Sequence, residues 1–268
     1  ISVRGTAIFE NKFYLSYINE PKKDCYNISL LEGEILKSEI NFSIFFETTE
    51  CSFSESKISQ NLHQSGGAIV VDSDNVYFAI GEFRDRPKAQ DVDSLFGKVL
   101  KINKFTKTHQ VISSGHRNIQ GMQLEDNKIF SSEHGPRGGD EVNEIDLNEN
   151  IVILNYGWPI SSYGEHYDGE FKIEAPLHDS HADYGFIEPK FYFTPSIGIS
   201  DVKRDNETFV ISSMKEKTLY FIPDTAEGNI TGAKSINLDY RIRDFIILDG
   251  NIIVYLEDLP GMAILTNK

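Results

Sequence analysis

Only two cysteines occur in the 268 residues, Cys25 and Cys51, and neither stands in a CxxC or Cys/His spacing. Sulfur-ligated zinc and dithiol redox chemistry are therefore excluded as organising features. Two readings of the pair stay open: a disulfide if the compartment is oxidising, or two buried thiols. Long apolar runs are missing too. Even the hydrophobic stretch from Asp244 to Leu256 is interrupted by charge, and nothing approaches the roughly 18 uninterrupted apolar residues of a membrane-spanning helix. Positive charge is scarce, with 26 Lys and Arg against 41 Asp and Glu and a net charge of −15. A field of that sign repels phosphate backbones and anionic lipid, and no run of Lys and Arg counters it, so neither a nucleic-acid partner nor a membrane span is expected. The same scarcity gives converging cations a meaning: where several meet, an anionic ligand is expected. A starting Met is absent, and the residues from Ile1 alternate like a strand without the regions of a secretory signal. The expectation is that something upstream is missing from this chain. Asn-x-Ser/Thr triplets at Asn27, Asn41, Asn206 and Asn229 read either as glycan acceptors or as chance occurrences.

Amphipathic helical periodicity is nearly absent, and short alternating or apolar runs bounded by turn residues take its place. They cover Thr6 to Tyr17, Gly67 to Ile80, Lys98 to Asn103, Gln120 to Ser132, Phe209 to Ser213 and Phe245 to Leu256. The chain reads as all-β. One pattern repeats: an apolar strand, an Asp/Asn-rich turn and an aromatic-rich strand, as in GGAIVVDSDNVYFAIGE from Gly66. It recurs as IQGMQLEDNKIFSSEHG, ISDVKRDNETFVISSMK and RIRDFIILDGNIIVYLE, and more loosely as VRGTAIFENKFYLSYIN near the start. A third strand such as GKVLKIN or DEVNEID usually follows. Five copies of such a unit predict a β-propeller, because each small sheet needs neighbours to cover both faces; a β-sandwich is the alternative. The segment 155–189 breaks the rhythm with Gly, Pro, Tyr, His and Asp. It reads as a long excursion between blades that walls a pocket, with His166, His178 and His181 either in that pocket or on solvated surface.

Three stretches then carry a resemblance: GHRNIQG (Gly115 to Gly121), SSEHGPRGGDEVNEI (Ser131 to Ile145) and NYGWP (Asn155 to Pro159). With HQSGG from His63, QDVDSLFGKVLKI from Gln90, FTPSIGIS from Phe193 and RIRD from Arg241, they follow the order found in soluble quinoprotein glucose dehydrogenases and aldose sugar dehydrogenases. The chain resembles this glucose/sorbosone dehydrogenase family over nearly its whole length. The resemblance implies one six-bladed propeller domain over 1–268, of which about five blades are recognisable and the first is lacking. It implies oxidation of the anomeric hydroxyl of an aldose sugar by hydride transfer to pyrroloquinoline quinone (PQQ), with Ca2+ polarising the quinone.

By resemblance His63 is the general base, and imidazole suits the task because it titrates near working pH. The family has an Asp where this chain has Leu62. PQQ carries three carboxylates, so cationic partners are needed; Arg117, Lys215, Arg241 and Arg243 match the family's contacts, with Asn118 and Ser196 beside them. Arg241 and Arg243, two apart, fall on one face of a strand. Gly135 and Pro136 match the family's carbonyl ligands for calcium. Asp140 and Glu141 are either a structural calcium site or a blade-edge salt bridge, and His134 either lines the cofactor or is a core histidine. The family implies a periplasmic or secreted protein; monomer and homodimer both stay open, as do a quinone pool and a cytochrome for the electron acceptor. Two other readings stand beside the enzyme: a non-catalytic propeller that binds a ligand or partner, and a calcium-dependent hydrolase, which the cationic rather than acidic candidates disfavour.

Overall fold

The Asp/Asn-rich turns close hairpins by taking up left-handed backbone. Asp126 and Asn127 have φ of 49° and 63°, and Asp249 and Gly250 have 50° and 73°. Two successive residues of this kind match the right-handed twist of the flanking strands, which is why Asn, Asp and Gly recur there. The structure, a computed structural model, describes residues 2–53, 63–148, 153–167 and 177–266; Leu62 and the middle of the 155–189 excursion lie outside them. Two compact units are present: Ile1–Ile119 with Glu149–Pro159, and Gln120–Asn148 with Ile160–Lys268.

The first unit holds two antiparallel sheets. One runs in order β1 (Ser2–Phe9), β2 (Lys12–Lys22), β3 (Cys25–Ile35) and β4 (Ile40–Glu47). The other comprises β5 (Gly66–Val71), β6 (Asn75–Ile80), β7 (Lys98–Asn103) and β8 (His109–Ser114), extended by the short strand Leu154–Asn155 parallel to β8. The second unit holds three larger sheets: β9 (Ile119–Glu125), β10 (Lys128–Glu133), β11 (Asp140–Asp146) and β12 (Phe191–Phe193); β13 (Ile199–Asp205), β14 (Thr208–Ser213), β15 (Thr218–Pro223) and β16 (Lys234–Asn237); and β17 (Ile242–Leu248), β18 (Asn251–Leu256) and β19 (Gly261–Leu265); a two-stranded sheet pairs Arg137–Gly138 with Gly164–Glu165. Strands adjacent in sequence pair in space, so these are up-and-down blades, and the fold is the all-β propeller type with five blades rather than a sandwich.

The second strand of the middle blades is buried along nearly its whole length, which explains why Val76–Ile80, Ile129–Ser132 and Phe209–Ser213 are runs of apolar or small residues instead of alternating. Val76, Phe78 and Ile80 join Tyr14, Leu30 and Phe96 in the core of the first unit. Phe130, Val142, Phe191 and Phe209 lie in one core of the second unit, while Ile242, Phe245 and Val254 lie in another. Cys25 and Cys51 form a disulfide, because the short strand Ser52–Phe53 pairs with Cys25 and Tyr26 at the start of β3.

Candidate functional site

In the first unit, His63 is exposed and opens the turn that leads into β5, where Gln64 and Gly66 take φ of 60° and 67°. Phe83 N–H donates to the Gln64 carbonyl at 3.0 Å and Gly81 N–H to the Ser65 carbonyl at 2.8 Å. Gly66 N–H donates to Asn118 Oδ1 at 3.1 Å. The Gln64 amide lies between two charged neighbours, and the orientation that satisfies both is the one in which its nitrogen donates to Glu82 and its oxygen accepts from Arg117 Nη2 at 2.7 Å. Glu82 is fully buried. Burial pushes its carboxyl up to about 7, against the opposing pull of Arg117, Arg86 and Arg84. The guanidinium groups of Arg86 and Arg117 lie 5.2 and 5.3 Å from the centre of the Trp158 ring, a cation–π arrangement. Three sequence candidates, His63, Arg117 and Asn118, thus come together. Arg117 and Asn118, only 5% and 8% exposed, hold the turn that presents His63. The residues that the sequence reading missed are Gln64, Glu82 and Trp158.

The second unit gathers the other candidates around a buried carboxylate. Asp140 Oδ2 accepts from the N–H of Gly198 at 2.7 Å and of Ile199 at 3.0 Å, and Oδ1 accepts from Gly135 N–H at 3.0 Å. Burial alone would raise its pKa, but His134, the Ser196 hydroxyl and the Ile199 N–H outweigh that and hold it below the ordinary carboxylate value. Both oxygens of Asp140 are taken by donors, so it serves as a tie between the Gly135 turn and the loop before β13. His134 sits on the same carboxylate, with Nδ1 3.8 Å from Oδ1. The Ser196 carbonyl accepts from Lys215 Nζ at 2.7 Å. Next to Lys215, Met214 Sδ lies 3.7 Å from Arg241 Nη2.

Arg241 Nε donates to Glu257 Oε2 at 2.6 Å, and Arg243 Nη2 pairs with the other oxygen of the same carboxylate. The two arginines do share a side, but a protein carboxylate accounts for it, so an isolated structural pair need not alternate. Glu257, like Gln64, Glu82 and Trp158, is not singled out by the sequence; burial would raise its pKa, and Arg243 and Arg241 bring it below the ordinary value instead. Lys215, Arg241 and Arg243 remain substantially exposed, at 58%, 42% and 40% of their side-chain surface.

At Gly135 a Cβ would overlap the carbonyl oxygens of Gly138 and Gly139, so the turn is dense in carbonyl oxygen, the donor type calcium favours. The Pro136 carbonyl accepts from Tyr167 Oη at 3.3 Å. Glu141 stands opposite Glu133 in the β10–β11 register; Asn143 Nδ2 donates toward both, at 3.5 and 3.4 Å, and His181 Nε2 lies 3.5 Å from Glu141 Oε1. Burial raises the Glu141 pKa despite His181. Among the described residues no group of three or more His, Cys, Asp or Glu is arranged to hold a metal ion. His181, one of the excursion histidines, is buried and stacks on Tyr163, His178 stacks on Tyr184, and His166 is half-buried. Solvated surface is thus the wrong description for His181, because Glu141 and Tyr163 draw it inward.

Comparison with known proteins follows the same line. The model of the glucose/sorbosone dehydrogenase family matches residues 8–265. The aldose sugar dehydrogenase YliI of Escherichia coli strain K12 is 37% identical over 160 residues, covering 54% of this chain and 41% of that protein. Quinoprotein glucose dehydrogenase B of Acinetobacter calcoaceticus is 27% identical over 128 residues, covering 36% of this chain and 26% of its own length. The chain thus spans less than half the length of these curated relatives. A solved glucose dehydrogenase superposes with a TM-score of 0.74 at 25% identity, over 96% of this chain and 79% of its own. A match that takes in nearly every blade, and with it both groups of site residues, leaves one assignment: the chain belongs to the glucose/sorbosone dehydrogenase family.

Proposed function

We propose that the protein is a quinoprotein sugar dehydrogenase that oxidises the anomeric hydroxyl of aldose sugars. The observation that carries this reading is the set of three exposed cations, Lys215, Arg241 and Arg243, joined through Ser196, Met214 and Glu257 in an acidic protein. Such a set fits a ligand with several carboxylates, and family membership supports the reading. PQQ, when bound, supplies the hydride acceptor, and calcium the positive charge that stabilises it. Lys215 and Arg241 would grip carboxylate oxygens, Ser196, whose hydroxyl already serves Asp140, would hold Lys215 in place through its carbonyl, and the carbonyls of the Gly135–Pro136 turn are the proposed cation ligands. His63 takes the anomeric hydroxyl proton on a ring nitrogen, while the sugar loses a hydride from the same carbon and becomes a lactone. Gln64 and Asn118 hold the backbone on either side of that imidazole's turn. The disulfide supports an oxidising compartment, periplasmic or secreted.

The test is titration of the protein with PQQ, with and without calcium, followed by dye-linked oxidation of a panel of aldoses. Calcium-dependent binding with sugar oxidation is expected; a folded protein that binds no PQQ would instead be the non-catalytic ligand-binding propeller. His63→Ala should leave PQQ affinity unchanged and lower kcat by about two to four orders of magnitude. Unchanged turnover would remove His63 from the chemistry.

A further inference from the structure

The registers of two neighbouring sheets set apolar rows against each other in the second unit. Val210 and Phe221 are paired across β14 and β15, and Ile247, Ile252 and Leu265 are paired across β17, β18 and β19. Ile236 on β16 shares the face of Phe221, since it lies two residues from that residue's strand partner, Lys234. Where the rows meet Leu219, Ile242, Phe245 and Val254, they close into a buried core. Toward the hairpin ends they part. Ile236 is 42% exposed, Ile247, Ile252 and Leu265 are half-buried, and a groove of about 1150 Å³ opens between them. Its floor is apolar, while the hairpin ends on its rim carry Glu125, Asp126, Asp205 and Glu207. Arg204, the cation on that rim, is already engaged: Nη2 lies 3.0 Å from Asp224 Oδ2 and Nη1 3.4 Å from Glu125 Oε2. The Asp205 carboxylate accepts from the Asn206 side-chain amide at 2.9 Å, and among the described residues Asp126 and Glu207 meet no cation.

Size and charge together select what fits. A volume of this order exceeds the roughly 300–1,000 Å³ of small-molecule sites, so a length of polypeptide fills it better than a small ligand does. An anionic ligand, an acidic lipid surface or a second copy of this chain would bring negative charge against the rim of a molecule whose net charge is −15. A wholly apolar segment would cover the floor and strip water from Asp126, Asp205 and Glu207 without replacing it. A segment with an apolar face flanked by Lys or Arg meets both demands: burial on the floor supplies affinity, and the charges supply orientation and speed of encounter. This place is separate from the cofactor-binding cations. Arg241 precedes β17 and Gly250, which lines the groove, follows it. The seven residues of that strand, about 23 Å in length, stand between them.

We propose that this groove docks a basic amphipathic segment of a partner protein, with apolar side chains seated between the Val210 and Ile247 rows and cationic heads on Asp126, Asp205 and Glu207. Fluorescence anisotropy of the whole chain with labelled amphipathic peptides tests it. One peptide is built of Leu and Lys, a second has Ser in place of Leu at the same charge, and a third has Glu in place of Lys. The Leu/Lys peptide is expected to bind at least about tenfold more tightly than either of the others. Asp205→Lys with Glu207→Lys, at exposed turn positions, should weaken that binding about tenfold, and Ile236→Asp should do the same through the floor. Glu34→Lys with Glu39→Lys, an equal change of charge at exposed positions of the first unit, should alter it less than about twofold. Equal binding of the Ser/Lys peptide, or equal losses in the two charge-reversed proteins, would assign the attraction to the field of the whole molecule and overturn the docking site. Tight binding of the Leu/Glu peptide overturns the choice of a basic partner, and no binding of any peptide overturns the proposal outright.

Discussion

Glu82 shows how much a single buried side chain can set in this protein. Its carboxyl, pushed from 4.5 to about 7 chiefly by burial, binds a proton in the folded state that the unfolded chain has already released. Between those two values stability therefore falls as pH rises, by a total of about 3 kcal/mol for a shift of this size. Glu82→Gln removes the titration, so the decline in unfolding free energy from pH 5 to pH 8 should flatten relative to wild type in urea titrations. An unchanged slope would mean that Glu82 ionises normally. The sequence displays His63 through HQSGG but hides Glu82. Nothing in its local pattern marks it, and its partnership with Gln64 exists only because the β5–β6 register brings Gly66 opposite Ile80. Arg117 was legible as a functional cation, whereas its burial against Glu82 was not, since burial is decided by the packing of Trp158 and the neighbouring turns.

Elements in the second unit are joined by carboxylates whose partners are backbone groups, and those joints lie outside what residue patterns display. Asp140 receives three N–H donors from two loops, and hydrogen bonds to a charged acceptor are worth about 1.5–3 kcal/mol each at most. Asp140→Asn should cost about 2–3 kcal/mol at pH 7. Because the folded pKa is lowered, wild type's advantage is present above the ordinary value of 3.8 and disappears as pH falls through the folded value; an advantage that persists at the lowest pH would point to packing instead. The Arg241–Arg243 spacing was legible because residues two apart share a strand face. Glu257 was not: the β17–β18 register, Ile242 opposite Leu256, is what brings it beside both guanidiniums. If that carboxylate competes with a ligand, Glu257→Gln should tighten PQQ binding and Arg241→Ala should weaken it, each by about tenfold. Parallel weakening in both variants would show that Glu257 orients the arginines for the ligand.

Across the whole molecule, five repeated strand units announce the propeller because the fold reuses one solution: a sheet too small to bury its own faces, placed beside another of the same kind. Cysteine spacing carried no such redundancy, and the two readings of Cys25 and Cys51 could be separated only by strand pairing. The residues are 26 apart in sequence with Cα atoms at 5.1 Å, and they close a loop that contains β3 and β4. Chain-entropy arguments give a cross-link of that span about 3–4 kcal/mol of stabilisation through the unfolded state. The doubly substituted Cys25→Ser, Cys51→Ser protein should lose that amount, and reduced wild type should match it, since loss of loop closure is common to both. Hydrogen exchange should then accelerate in β2, β3 and β4, which the loop contains or borders, with β14 peptides as the internal reference. A loss confined to the serine variant and missing from reduced wild type would assign the effect to the side chains rather than to the cross-link, and the disulfide would then serve the compartment's chemistry more than the fold's stability.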